Sequence, residues 1–320
     1  MTTAEMRRPI DAVAVSAASI DHVIRVPQLP AFDQKVIGTL VGRLPGGTAA
    51  NFACALSRLG GSAAWMGTVG GDPEGALLLA DFRRFRVDTR LAKIDRRQHS
   101  NFTVIFLGPS AERAIVVVPT MRERLPPPAQ LQRHLARARF LYLSPHDLTF
   151  AERLSTIAAA AGCRVAIEVE PTAGLTLGRA RALLPHVDVL IFNRSGLATF
   201  LGARHTISRR HAERQARRLL SHGPRYVAVT LGRHGAILAG GDALVVHPGF
   251  RVCAVDTTGA SDCFSAALIL GLCRGWPPET IASYANAAAA LSTTAVGPRG
   301  YLPSDRDVRR LLRSGTRRRP

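Results

Sequence analysis

Short apolar runs alternate with helix-like stretches along most of the chain. We predict that the apolar runs form strands at 12–16, 63–69, 140–143, 165–168, 187–192 and 226–230. Between them, apolar residues recur at helical spacing, which predicts helices at 49–59, 73–85, 128–138, 151–161 and 211–221. Strands that are apolar on both faces and alternate with helices are typical of a parallel sheet covered by helices on both sides.

Two segments, 20–43 and 101–118, interrupt this alternation. Both are rich in β-branched residues without helical spacing, so we predict that they form a small β-lid outside the central sheet. Two Ala-rich helices at 260–275 and 278–292 should be buried against the sheet. We therefore predict an α/β fold with a doubly wound, mostly parallel sheet, in one domain at 1–314 that is followed by a basic tail at 315–320.

The chain is strongly basic, with 42 Lys and Arg against 23 Asp and Glu and a formal net charge of +19. Such a charge attracts anionic ligands and raises the question of nucleic-acid binding. Nearly all of these residues are Arg, the only lysines being Lys35 and Lys93, and they are dispersed along the sequence. This distribution is typical of solvated helix faces, so we expect no nucleic-acid partner.

The five cysteines form no C-x-x-C pair, and their number is odd. This usage favours free thiols in a reducing cytoplasm over a disulfide framework or a zinc site. No apolar run approaches the length of a membrane span, so we expect no membrane insertion.

Residues 256–262 read Asp-Thr-Thr-Gly-Ala-Ser-Asp, and an apolar helix follows them. At such a loop-to-helix junction the backbone N–H groups and the helix dipole create an anion site. Asp262 falls in the first turn, where its carboxylate can take a proton from a hydroxyl beside a phosphoryl group. A plain helix N-cap is the alternative interpretation.

This motif resembles the D-T-x-G-A-G-D motif of the ribokinase-like (PfkB) carbohydrate kinases. The resemblance implies that Asp262 is the catalytic base and that Gly259, Ala260 and Ser261 line the anion hole. Ser261 stands where the family has Gly. If this position had a positive φ, Ser would be strained there, and Ser261→Gly would keep or raise activity. If the hydroxyl contacts phosphate instead, the same change would lower it.

Two N-terminal segments resemble the family's sugar-binding motifs. Gly46, Gly47 and Asn51 match the G-G-x-x-x-N motif, and Asp21 follows the first strand where ribokinases bind sugar hydroxyls. The resemblance implies that these residues bind the substrate. The chain has Ser-Pro-His-Asp at 144–147, where ribokinases have a Glu, so the substrate need not be ribose.

Further motifs resemble the ATP side of the family. They are Asn193 after a strand, the Thr-Leu-Gly-x-x-Gly loop with Thr230, Gly232 and Gly235, and Asn286 in a late helix. The resemblance implies ATP and Mg²⁺ as cofactors. The family reads N-x-x-E after this Asn, whereas this chain has Gly196 in place of the Glu. We predict that Glu168 instead contacts the water shell of Mg²⁺, the alternative being an ion pair with a surface Arg.

The resemblance also implies a monovalent cation such as K⁺ beside Asp256, and a homodimer joined through the lid. The resulting prediction is an ATP-dependent kinase that phosphorylates a hydroxyl of a small sugar such as ribose or fructose. A nucleoside kinase is the alternative, which Phe32, Phe102 and Phe106 in the lid segments keep open. A third interpretation is a relative with little or no catalysis that binds a ligand.

Overall fold

A central eight-stranded sheet organises the part of the chain that the structure describes. The structure is a computed structural model, and it describes residues 10–109, 113–121, 125–171, 174–203 and 205–315. The predicted basic tail lies outside these residues, except for Gly315. Within the described ranges, no helix is long and apolar enough to cross a membrane.

The strand order of this sheet is β14-β13-β12-β11-β10-β9-β1-β4. The strands from β4 to β12 in this order run parallel, and β13 and β14 extend the edge as an antiparallel hairpin. The parallel strands are β1 Ile10–Val15, β4 Ala63–Met66, β9 Ala138–Leu143, β10 Arg164–Val169, β11 Val189–Asn193 and β12 Tyr226–Thr230. The hairpin strands are β13 Ala236–Gly240 and β14 Ala243–His247. The predicted mostly parallel sheet is confirmed, although the hairpin was not predicted.

Helices cover both faces of the sheet, as the alternating pattern predicts. One core contains residues from α1 Thr48–Arg58, α2 Pro73–Arg84, α7 Ala260–Cys273, α8 Pro278–Ser292 and α9 Asp305–Ser314. The other contains residues from α3 Pro128–Leu135, α4 Leu148–Ala160, α5 Arg194–Phe200 and α6 Arg209–Leu220. Successive residues of β1 alternate between the two cores, because neighbouring side chains of a strand point to opposite faces.

A second sheet of four strands, in the order β3-β2-β7-β8, forms the lid. Its strands are β2 Ser19–Arg25, β3 Thr39–Gly46, β7 Asn101–Leu107 and β8 Arg113–Val118. The two segments predicted as lid strands therefore pair with each other in one sheet.

The predicted strand at 63–69 is divided in the structure. Its second part, β5 Thr68–Gly70, leaves the central sheet and pairs with β6 Lys93–Asp95. Gly67 lies between the two parts, against the indole ring of Trp65. The chain turns at this residue, which an apolar run alone does not reveal.

Candidate active site

Polar residues gather where the parallel strands end. Asp21 follows β1 along the chain, Glu168 and Glu170 lie at the end of β10, and Asn193 and Thr230 end β11 and β12. In an open α/β sheet, ligands bind beyond the carboxyl ends of the strands. The residues singled out from sequence therefore lie on the edge of the sheet that is suited to a ligand.

The loop that leads into α7 has the backbone of an anion site. Gly259 precedes the helix with a left-handed φ of 78°, and a Cβ there would lie 2.8 Å from Pro298. The Ala260 N–H donates to the Thr257 carbonyl oxygen at 3.3 Å. No side chain caps α7 within the described structure, so the N–H groups of Ser261 and Asp262 in its first turn are suited to an anion. Gly259 is thus required both by its conformation and by the close approach of Pro298.

Ser261 is not strained, although the family has Gly at this position. It lies in the first turn of α7, and only Asp33 and Arg86 among the described non-glycine residues have a positive φ. Its hydroxyl is close enough to the carboxylate of Glu168 to lower the pKa of that group. Ser261 therefore has no backbone strain that a glycine would relieve.

Asp262 is buried at the head of the same helix, with 6% of its surface exposed. Its Oδ2 accepts a hydrogen bond of 2.7 Å from the Asn51 side-chain amide on α1. Burial raises the pKa of Asp262 well above its ordinary value, and the negative charge of Glu168 raises it further. The hydrogen bond from Asn51 acts in the opposite direction, because it favours the ionised carboxylate.

Glu168 is more deeply buried than Asp262 and is held by hydroxyl groups. Its Oε2 accepts hydrogen bonds from Tyr142 at 2.5 Å and from Ser265 at 2.6 Å. Burial raises the pKa of Glu168, and these hydroxyls lower it. Glu168 is 2% exposed and forms no ion pair with an Arg of the described ranges, so the alternative of a surface ion pair is not supported there.

Glu170 lies nearer to solvent than Glu168 and contacts the start of α1. Its Oε1 accepts hydrogen bonds from Thr48 at 2.5 Å and from Ser144 at 3.3 Å. Within the described residues, no group of three or more His, Cys, Asp or Glu side chains is arranged to hold a metal ion.

The lid carries Asp21 to the other side of this cleft. Asp21 is 6% exposed, and its carboxylate contacts the α-carbon of Gly46 so closely that any Cβ there would clash with it. Gly47 has a φ of 94°, and a Cβ there would lie 2.5 Å from the Ala17 carbonyl oxygen. Burial raises the pKa of Asp21 to about 6, against the opposing charge of Arg299.

The residues predicted to bind ATP lie further along the same edge. Asn193 and Thr230 are paired neighbours in β11 and β12. Gly232 and Gly235 have φ angles of 59° and 89°, which favour glycine. Asn286 is buried in α8, where its Nδ2 donates to the Ala282 carbonyl oxygen at 2.7 Å.

The missing Glu of the N-x-x-E motif has a physical cause. Asn193 caps α5 by accepting a hydrogen bond of 2.7 Å from the Gly196 N–H. The Val169 carbonyl oxygen lies so close to the Gly196 α-carbon that a Cβ there would overlap it. In this backbone, Gly196 therefore leaves no space for a Glu side chain.

Asp256 is surrounded by hydrogen-bond donors. Its Oδ1 accepts bonds from the Thr258 N–H at 2.9 Å and hydroxyl at 2.7 Å, and its Oδ2 accepts from the Gly297 N–H at 2.8 Å. Arg113 reaches over from the lid, where its Nη1 lies 3.8 Å from Asp256 and 2.8 Å from the Thr258 hydroxyl. These hydrogen bonds lower the pKa of Asp256 although burial raises it.

Sequence reasoning missed several residues that shape this site. The segment 295–304 was left without a role, yet it brings Gly297 to Asp256 and Arg299 to Asn51. Tyr142 on β9 and Ser144 directly after it were not recognised as partners of Glu168 and Glu170. The position of β9 in the middle of the sheet was the available signal, because its carboxyl end must face the cleft. His146 is exposed and Asp147 caps α4, as loop residues do.

The chain is similar in sequence to known carbohydrate kinases. The sequence matches the pfkB family carbohydrate kinase profile over residues 10–305. It is 31% identical over 302 residues to a fructokinase of Klebsiella pneumoniae, covering 85% of this chain and 94% of that protein. It is 27% identical over 303 residues to a ribokinase of Bacillus subtilis (strain 168), covering 93% of this chain and 98% of that protein.

The fold also matches solved structures along nearly the whole chain. Arabidopsis thaliana ribokinase complexed with ribose and ATP aligns with a TM-score of 0.84 and 22% identity, covering 96% of this chain and 99% of that one. A small-molecule phosphotransferase of the ribokinase-like fold is thus the class that fold and sequence define. The chain belongs to the pfkB family of carbohydrate kinases, and its activity is ATP-dependent phosphorylation of a sugar.

Proposed function

We propose that the chain transfers the γ-phosphoryl group of ATP to a hydroxyl of a small neutral sugar, of the ribose or fructose class, with Asp262 as the general base. The observation that carries this proposal is the hydrogen bond between Asn51 and Asp262, which joins the predicted sugar motif to the anion loop. The ribokinase and fructokinase relatives support this substrate class.

Asp262 has the properties of a base for this reaction. Its carboxylate lies beside the uncapped first turn of α7, so a hydroxyl bound there would stand between base and phosphoryl group. A raised pKa makes the carboxylate a stronger proton acceptor than a solvated Asp. The N–H groups after Gly259 would offset charge on the transferring phosphoryl group, while Ala260 and Ser261 complete the loop.

The sugar side consists of Asp21, Gly46, Gly47 and Asn51. Asp21 offers a carboxylate that can accept hydrogen bonds from two hydroxyls, and a side chain at residue 46 would overlap this carboxylate. Hydrogen bonds to a charged group typically contribute about 1.5–3 kcal/mol. This carboxylate is therefore well placed to orient a polyol.

The strand pattern of the lid supports a sugar over a nucleoside. Asp21 pairs in register with Thr103 on β7 and Leu44 on β3, and Thr103 pairs with Val117 on β8, so these side chains share a face. Phe102 and Phe106 are out of phase with Thr103 and therefore point to the opposite face. Among the described lid strands, the face that carries Asp21 offers no aromatic side chain on which a nucleobase could stack.

The ATP side would consist of Asn193, Thr230, Gly232, Gly235 and Asn286. The first two residues end adjacent strands, and the two glycines have the positive φ angles that the loop after β12 requires. Mg²⁺ bound with ATP would neutralise charge on the phosphates. Assignment of its water shell to Glu168 remains a prediction, and Glu170 is the more accessible carboxylate.

The remaining expectations are also proposals. Asp256 already accepts three hydrogen bonds and faces the Arg113 guanidinium, so this carboxylate fits a K⁺ ion poorly. A homodimer through the lid agrees with the exposed side chains of Leu40 and Val116, which lie on the lid face opposite to Asp21. A cytoplasmic location agrees with five free cysteines.

The test is turnover of ATP over a panel of ribose, fructose, ribose 1-phosphate and adenosine, for the natural chain and for Asp262→Asn. We expect a neutral sugar to give the highest kcat/KM. We expect Asp262→Asn to lower kcat by about 10²–10⁴-fold, while ATP still binds. Preference for adenosine would contradict the sugar assignment, and near-natural turnover by Asp262→Asn would contradict the base. No turnover with any acceptor would favour the non-catalytic interpretation.

A further inference from the structure

The segment after α8 crosses three parts of the candidate active site within a few residues. Gly297 donates to Asp256, and Pro298 packs against Gly259 in the anion loop. Arg299 then enters the interior, where 4% of its side chain is exposed. A charged side chain is rarely buried to this extent unless it is paired.

Each nitrogen of the Arg299 guanidinium has a partner. Nη1 forms an ion pair with Asp81 on α2, and Nη2 donates to the Gly46 carbonyl oxygen at 3.0 Å. Nε donates to the Asn51 Oδ1 at 2.9 Å. Arg299 thus contacts two residues of the proposed sugar site, and one of them is the partner of Asp262.

These contacts determine which way the Asn51 amide points. A guanidinium only donates hydrogen bonds, so the side of Asn51 that faces Arg299 must present its oxygen. An ionised carboxylate only accepts, so the side that faces Asp262 must present the NH₂ group. Reversing the amide would set donor against donor and oxygen against carboxylate. Without Arg299, the amide would lose the contact that selects its orientation.

We propose that Arg299 is a positioning residue for phosphoryl transfer, which fixes the Asn51 amide toward Asp262 and holds the Gly46 carbonyl at the edge of the sugar site. The proposal rests on the role of Asp262 proposed above. Arg299 does not touch the reacting atoms. It acts through Asn51, and its positive charge also favours the ionised form of the base.

The charge around Asp262 predicts a pH effect of Arg299. The groups that face the carboxylate from the surrounding elements are Glu168 and Glu170 on the β10 side, Tyr142 on β9, Asn51 on α1 and Arg299. The two glutamates oppose ionisation of Asp262, whereas Asn51 and Arg299 favour it. Removing Arg299 should therefore raise the pKa of Asp262. Because the ionised base is the active form, the acid limb of the pH profile of kcat should move to higher pH.

A purely structural role for Arg299, as the partner of Asp81, makes a different prediction. Asp81→Asn removes that ion pair but leaves the donors to Asn51 and Gly46 in place. If Arg299 served only the ion pair, variants on either side of it would have the same effect on stability and on kinetics. Asp81→Asn is therefore the matched control.

The experiment measures kcat, both KM values, the acid limb of kcat and the melting temperature for Arg299→Lys, Arg299→Met and Asp81→Asn. We expect both Arg299 variants to lower kcat by about 10- to 100-fold with little change in the KM for ATP, as misplacing a catalytic group does. Arg299→Met should also move the acid limb to higher pH, and Arg299→Lys should move it less. Asp81→Asn should lower the melting temperature and leave the acid limb in place.

A double-mutant cycle shows whether Arg299 acts through Asn51. In an Asn51→Leu background, Arg299→Lys should lower kcat by less than three-fold, because there is no amide left to orient. Such cycles resolve a coupling of about two-fold in rate, so the loss of a 10-fold effect is measurable. Arg299→Lys keeps the charge, so it still provides a folded variant if Arg299→Met does not fold.

Two results would overturn the positioning role. If a folded Arg299→Lys variant had the same kcat and the same acid limb as the natural chain while Asp262→Asn was inactive, the positioning role alone would be overturned. Natural turnover by Asp262→Asn would overturn the proposed base and the positioning role with it.

Discussion

The side-chain amide of Asn51 donates a hydrogen bond of 2.7 Å to the carboxylate of Asp262, and 211 positions of sequence separate the two residues. Asn51 belongs to α1 and Asp262 to α7, and these two helices pack side by side in one core. This contact joins the sugar motif to the anion loop.

Asp21→Asn should raise the KM for the sugar by about 10-fold or more, because hydrogen bonds to a charged acceptor contribute about 1.5–3 kcal/mol. The KM for ATP should change little, since Asp21 lies on the lid side of the cleft. Steady-state kinetics with each substrate varied in turn provide the measurement. Equal changes in both KM values would indicate a distorted lid and contradict the assignment.

The melting temperature provides a control for this variant. Burial raises the pKa of Asp21 to about 6 in the folded chain, above its ordinary value of 3.8. Protonated Asp21 therefore contributes to the free energy of unfolding in full below pH 3.8, and this contribution is lost as the pH rises through about 6. At pH 7.5 the ionised carboxylate destabilises the fold, so Asp21→Asn should not lower the melting temperature.

The natural chain should show a pH-dependent KM for the sugar. Below about pH 6 the Asp21 carboxyl becomes protonated and loses part of its capacity to accept hydroxyl donors. We expect this KM to rise as the pH falls through 6, measured at saturating ATP. Asp21→Asn cannot titrate, so it serves as the control. The same rise in that variant would show that another group is responsible.

Gly196→Ala should destabilise the chain, because its Cβ would overlap the Val169 carbonyl oxygen at the end of β10. Overpacking of this kind typically costs about 1–3 kcal/mol. Gly178→Ala is the matched control, since a Cβ there meets nothing within 4 Å. Thermal unfolding of both variants provides the measurement. An unchanged melting temperature for Gly196→Ala would contradict the steric explanation for the missing Glu.

Ser261→Gly should not raise kcat, because Ser261 lies in the helix without a positive φ and its hydroxyl contacts Glu168. Glycine in a helix costs about 1 kcal/mol relative to Ala, so some loss of stability should follow. Ser261→Ala removes the hydroxyl while keeping helix propensity, and it separates the two effects. A kcat above that of the natural chain would restore the explanation based on backbone strain.

Replacing K⁺ by Na⁺ at constant ionic strength should change kcat by less than about two-fold, because three donors and the Arg113 guanidinium already surround Asp256. Turnover in KCl and in NaCl provides the measurement. Arg113→Met is the informative variant, because it removes the cationic neighbour. A strong K⁺ requirement in the natural chain would contradict this assignment.

The sequence by itself determined the parallel sheet, the lid and the order of the motifs. Buried strands and amphipathic helices have local periodicities, and Gly259 and Asp262 belong to one short loop that can be read without distant contacts. The same local reasoning placed Asn193 and Thr230 at strand ends. These features depend on residues that are close together in the chain.

Only the tertiary structure decided which distant groups meet. The orientation of Asn51 depends on Arg299 and Asp262, both more than 200 positions away, and no local pattern encodes that contact. The absence of a side chain at Gly196 depends on the Val169 carbonyl oxygen, which belongs to a neighbouring strand. Burial also sets the raised pKa values of Asp21 and Asp262, because desolvation depends on the packed surroundings and not on the residue type.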